Sequence, residues 1–129
     1  MQVNLEDLNP GTWFEMEDGG RICLRVCAGD DYRAIRKAAT KKKVDYPKTG
    51  GRFPYEETDE ELQSQLLWDF CIVDWENLLD KDKKPIPCTK EFKLLLMGKS
   101  VAFSKFVTDK FTELADMVSA QDEDRLKNS

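Results

Sequence analysis

The chain has 129 residues, 40% apolar and 35% charged, the balance of one globular domain rather than a disordered chain or a membrane span. It contains no histidine, which excludes Ser-His-Asp and Cys-His nucleophile systems, imidazole proton shuttles and mixed Cys/His zinc sites. The net charge of −5 conceals a division: Arg33 to Arg52 carries eight basic residues against one acid, +7, while the remainder holds 12 basic and 24 acidic residues, −12.

The start, Met1 to Asp7, has neither the basic opening nor the apolar stretch of a signal peptide, so a cytosolic chain is expected. Asn9-Pro10-Gly11 reads as a turn. A β-hairpin is expected over 12–27, with Thr12–Met16 and Arg21–Cys27 as strands and Glu17-Asp18-Gly19-Gly20 as the turn. In the second strand, Ile22, Leu24 and Val26 share one face, opposite Arg21, Cys23, Arg25 and Cys27.

Asp30 or Asp31 can cap a helix over 31–43, with Ala34, Ile35, Ala38 and Ala39 as a narrow apolar seam and cations toward its C-terminal end. The segment 44–57, with Pro47, Gly50, Gly51 and Pro54, reads as one long mobile loop. Three aromatics within it, Tyr46, Phe53 and Tyr55, suit either the core or a partner.

Thr58-Asp59-Glu60-Glu61 has the form of a capping box, opening a helix over 58–78. Its stripes, Leu62/Leu66/Phe70/Val73 and Trp68/Ile72/Trp75/Leu79, predict burial on more than one side. A polar turn and two prolines, Pro85 and Pro87, separate it from a helix over 89–97, capped by Thr89 and stopped by Gly98. Ser100 caps the last helix, 100–120, whose core stripe is Phe103, Phe106, Val107, Phe111, Leu114, Ala115 and Val118. The polar tail 121–129 is expected to fray. The fold expected is α+β and mainly α-helical: one domain over 1–120, with the N-terminal β-hairpin packed on a small bundle of about four helices.

The chemistry in this sequence is sparse. Cys23, Cys27, Cys71 and Cys88 form no C-x-x-C pair and read as inert thiols. Asp80 and Asp82 have the first spacings of a calcium loop, but Lys84 and Pro85 break the pattern. The carboxylate pairs, Asp74 with Glu76 among them, are what 25 acids in 129 residues produce by chance. A non-enzymatic protein without cofactor or metal is expected. The candidate partner-binding residues are Arg33, Arg36, Lys37, Lys41, Lys42, Lys43, Tyr46, Phe53 and Tyr55, cations and aromatics interleaved. They suit either nucleic acid, against which the acidic total speaks, or a second copy, whose acidic 56–61 run could meet the basic 33–52 segment.

Val73-Asp74-Trp75-Glu76-Asn77-Leu78-Leu79-Asp80, Lys84-Pro85-Ile86-Pro87-Cys88-Thr89-Lys90-Glu91-Phe92, and then Phe103 and Phe106 form a pattern found elsewhere. With the preceding Trp13-Phe14 and Arg21-Ile22-Cys23-Leu24-Arg25 segments it resembles the tail assembly chaperones of long-tailed bacteriophages and prophages, over about half the chain. That family's turn commonly carries a glycine where this chain has Asp82-Lys83-Lys84. Trp13, Trp75, Pro85, Thr89, Phe103 and Phe106 carry the motif. The resemblance implies a chaperone made in the host cytoplasm and absent from the mature virion, which holds the tape-measure protein soluble and helps recruit tail-tube subunits. It also implies a longer frameshifted form, for which Leu126-Lys127-Asn128 permits an adenine-rich slippery run. The alternative is a small nucleic-acid-binding or regulatory adaptor using the basic 33–52 segment.

Overall fold

The computed structural model describes residues 9–127, with side chains through residue 119. Its elements, in order, are β1 (Thr12–Glu15), β2 (Arg21–Leu24), α1 (Gly29–Ala38), β3 (Thr40–Asp45), β4 (Phe53–Thr58), α2 (Glu60–Cys71), β5 (Ile72–Glu76), α3 (Lys90–Lys99) and α4 (Val101–Lys127). An N-terminal hairpin with four helices makes the α+β, mainly helical class. The chain forms two compact units: Cys27–Trp68, and the parts of the chain before and after it. The division falls within α2.

In the discontinuous unit, β1, β2 and β5 form an antiparallel sheet in the order β1-β2-β5. The first hairpin closes as its sequence predicts: Glu15 pairs with Arg21, Met16 N–H donates to Gly20 O at 2.7 Å, and Gly19 takes φ 90° in the turn. β2 is the central strand, and Ile22, Cys23 and Leu24 are all buried. Cys23, expected on the polar face, is covered by the Pro10-Gly11 segment. Its thiol lies 3.8 Å from Pro10 O, and a Cβ on Gly11 (φ +98°) would come within 2.7 Å of Cys23 Sγ.

β5 corrects the helix expected over 58–78, which ends at Cys71. Ile72 and Trp75 are both buried although three residues apart, a spacing that suggests a helix. A register shift opposite Cys23/Leu24 accounts for it: Cys23 pairs with Asp74 and Leu24 with Ile72, leaving Val73 as the extra residue of a bulge. The bulge turns both apolar side chains inward.

The C-terminal end of α2 has no cation in its own last turn. Two arrive from elsewhere. Arg25 Nε donates to Phe70 O at 2.8 Å with its guanidinium 3.8 Å over the Phe70 ring, and Lys93 Nζ donates to Asp69 O at 3.1 Å. They meet the exposed carbonyls and the negative end of the helix dipole. Lys93 is only 9% exposed and also pairs with Asp69 Oδ1 at 3.2 Å.

Trp75 ties the remaining pieces together. Its ring meets Phe103 edge-on at 5.8 Å, and its Nε1–H donates to Ile86 O at 2.7 Å. Between them, 77–86 folds back through an Ile86 N–H bond to Leu78 O and a turn in which Asp80 Oδ1 accepts from Asp82 and Lys84 N–H. Lys83 sits in the left-handed region (φ 60°). That is the stretch where the resembled family commonly carries a glycine.

α3 is capped by Thr89, whose hydroxyl accepts from Phe92 N–H at 3.3 Å. It continues through Gly98 to Lys99, one residue before Ser100, which caps α4 by accepting from Phe103 N–H at 3.2 Å. Phe103, Val107 and Leu114 bury the predicted stripe of α4. α4 extends through Lys127, into the segment expected to fray, while 128–129 lie outside the described residues, as does the Met1–Asp7 reading.

In the Cys27–Trp68 unit, α1 ends at Ala38 rather than at residue 43. Thr40 stops it: its hydroxyl donates to Arg36 O at 2.7 Å, and the chain leaves as β3. The loop expected over 44–57 is half strand. β3 and β4 pair antiparallel, Lys41 opposite Glu57, Lys42 opposite Glu56 and Lys43 opposite Tyr55. Thr58 is therefore a strand residue, its hydroxyl 2.9 Å from that of Thr40, and Asp59 caps α2 instead by accepting from Leu62 N–H at 3.1 Å. The double-sided burial expected of α2 is also corrected, since Cys71 is its one buried residue and the rest of its apolar face is half covered.

Among the described residues, Ala39 alone of the buried apolar set belongs to the Cys27–Trp68 unit. A two-stranded sheet is marginal in water by itself. This unit stands on backbone pairing, on α1 and the start of α2, and on the hydrogen bond from Gln63 Nε2 to Tyr32 Oη at 2.9 Å. It has little core.

Candidate functional site

All nine candidate partner-binding residues fall in this unit and are exposed. β3 and β4 bring six of them onto one hairpin. Strand alternation sorts them by face: Lys41, Lys43, Phe53 and Tyr55 lie on one side with Glu57, and Lys42 on the other with Val44, Pro54 and Glu56. Tyr46 lies just past β3. Tyr46, Phe53 and Tyr55 are 71%, 58% and 47% exposed, so the aromatics face solvent rather than a core.

Arg33, Arg36 and Lys37 come from α1, and with Thr40, Lys42 and Glu56 they line an open groove of about 420 Å³. Arg33 is paired with Asp30. Arg36, Lys37 and Lys42 have no ion-pair partner among the described residues, so three free cations share a groove with one carboxylate. Such a surface attracts an anion.

The charge complementarity that suggests contacts between copies is met in part within the chain. Lys43 is bonded to Glu57 across the hairpin, and that hydrogen bond holds its ammonium pKa above the ordinary 10.5. The loop expected over 44–57 hid this pairing, because β3 and β4 set the end of the basic segment directly against Glu56 and Glu57. The alternation of Phe53, Tyr55 and Glu57, interrupted by Pro54, was the signal available for a strand.

The six motif residues lie in the other unit and hold it together. Trp13 is stacked under the Arg21 guanidinium at 4.8 Å, and Arg21 also pairs with Glu76 at 3.2 Å. Pro85 bridges back to Leu79, Thr89 caps α3, and Trp75 with Phe103 forms the edge-on pair. Phe106 lies half-buried beneath Lys110, 5.7 Å away. None of Cys23, Cys27, Cys71 and Cys88 forms a disulfide among the described residues. Burial pushes the Cys23 and Cys88 thiols up from their ordinary value.

Fold and surface together define a small α+β protein with a sheet-and-helix unit and a charged, aromatic hairpin unit. Residues 29–128 match the family model described as YdaY prophage protein, and the chain belongs to that family. It is thus a prophage protein, and the match takes in everything from α1 onward while leaving out β1 and β2. No curated protein and no solved structure matches it. No helix among the described residues is long and apolar enough to cross a membrane.

Proposed function

We propose that this prophage protein is a non-enzymatic tail assembly chaperone that binds the tape-measure protein, keeps it soluble and helps recruit tail-tube subunits. The observation that carries the reading is the hairpin unit: three exposed aromatics on and just beside a two-stranded sheet with almost no core of its own. Exposed apolar area of this kind is a contact surface, and a unit with little core gains stability when a partner covers it. The prophage family fits a phage-derived role, and the chaperone-like motif over Val73 to Phe106 supports the assignment. The protein acts in the host cytoplasm, needs no cofactor, and leaves before the virion is complete. Copies associate through basic 33–52 and acidic 56–61 segments where these are not already paired within the chain. A longer form arises by frameshifting near Leu126 to Asn128, which the nucleotide sequence of that stretch tests at once.

The test is capture of a tape-measure protein from the same prophage. Wild-type protein retains it on a column, and the triple variant Tyr46→Ser, Phe53→Ser, Tyr55→Ser loses it with its circular dichroism unchanged. Equal retention by both would overturn the assignment of the surface.

A second reading, a nucleic-acid-binding adaptor, is favoured by the three unpaired cations of the α1–β3 groove. It predicts binding that falls steeply with salt and disappears with Arg36→Ala, Lys37→Ala and Lys42→Ala together. No shift with DNA or RNA at low salt removes it.

A further inference from the structure

The sheet-and-helix unit carries a second surface that the hairpin reading leaves unused. A groove of about 640 Å³ opens between the β1–β2 turn, the segment after β5 and the α3–α4 corner. Its lining is largely apolar: Met16, Leu78, Ile86, Leu96 and Phe106 lie along it partly buried, and Leu79 is 52% exposed. Glu15 and Glu17 stand exposed along one side, next to Asp18, with no ion-pair partner among the described residues. The opposing cation, Lys110, is already paired with Glu113 at 3.4 Å.

We infer that this groove receives an amphipathic α-helix whose apolar stripe is flanked by lysine or arginine, and that it is where the chaperone grips a helical stretch of its client. The second half of that statement rests on the chaperone reading. The choice of occupant follows from the lining. A largely apolar lining demands an apolar stripe, and the unpaired acidic rim demands cations beside it. Only the last residue of an edge strand, Glu15, reaches the groove, so an extended peptide finds little backbone to pair with. A helix satisfies its own backbone groups and suits the site.

Ala102 lines the groove, is exposed, and sits in the first turn of α4, so a larger side chain there fills the groove without disturbing the core. The probe is a synthetic leucine–lysine amphipathic helix, with a leucine–glutamate helix of the same spacing as control. The full chain binds the lysine peptide and binds the glutamate peptide at least about tenfold more weakly. Ala102→Trp and the pair Glu15→Lys, Glu17→Lys each weaken the lysine peptide by a similar factor while the melting temperature stays put. Equal binding of the two peptides, or full binding by Ala102→Trp, would overturn the proposal. So would self-association of the free protein that Ala102→Trp abolishes, since the occupant would then be a second copy. Co-expression separates the two readings. If the tape-measure protein is kept soluble equally by wild type and by Ala102→Trp, the groove proposal fails and the chaperone reading stands. If peptide binding follows the groove but the tape-measure protein stays insoluble, the chaperone reading fails and the groove stands.

Discussion

Replacing Lys93 with methionine removes an ammonium and keeps most of its stem. Lys93 is a cation on α3, 9% exposed, whose Nζ donates to both the carbonyl and a carboxylate oxygen of Asp69, at 3.1 and 3.2 Å. A hydrogen bond involving a charged group is worth about 1.5–3 kcal/mol net. The Asp69 side chain is one-third exposed, so water recovers part of its share, whereas the carbonyl at the end of α2 loses its cation. The expected loss is about 2 kcal/mol, a fall in melting temperature of roughly 6–8 °C for a chain of this size. Lys93→Ala also abandons the packed stem and costs about 1 kcal/mol more. Urea unfolding followed by tryptophan fluorescence measures all three proteins. A buried ion pair can be replaced by apolar volume at no cost. If Lys93→Met is as stable as wild type, the clamp on α2 is packing and the electrostatic reasoning is wrong.

Three further outcomes follow from the same geometry. Lys83→Gly relieves a left-handed backbone (φ 60°) and raises stability by about 0.5–1 kcal/mol, read as a higher urea midpoint with unchanged slope. Trp75→Phe keeps most of the ring against Phe103 but strands the Ile86 carbonyl, and lowers stability by about 1–2 kcal/mol in the same titration. Burial raises the Cys23 and Cys88 thiol pKa values above those of the unfolded chain, so the folded state holds those protons more tightly. Stability is full below the ordinary value of 9.0 and falls as pH climbs beyond it, and at pH 8 both thiols react with a disulfide reagent far more slowly than in urea.

The parts legible in the sequence are those that local physics decides. The β1–β2 hairpin follows from alternation around Gly19, and α3 and α4 start where Thr89 and Ser100 can cap them. What escaped was decided by pairing at a distance. Thr40 to Lys43 has a helical composition, yet it becomes a strand because Glu56, Glu57 and Thr58 lie opposite. Ile72 and Trp75 mimic a helix because a bulge against β2 inverts their expected alternation. Because the β3–β4 pairing is not local, the hairpin that Lys41, Lys42, Lys43, Phe53 and Tyr55 share with Glu56 and Glu57 stayed hidden in the sequence. The cations that close α2 lie 45 and 24 residues from the carbonyls they hold, beyond any local pattern.

The central claim is that this prophage protein holds another chain in solution. Co-expression with a tape-measure protein from the same prophage, followed by centrifugation and affinity capture, tests it most directly. The account predicts a tape-measure protein that moves from pellet to supernatant and co-purifies at a fixed ratio. A tape-measure protein that stays in the pellet, with this chain alone on the column, would contradict it.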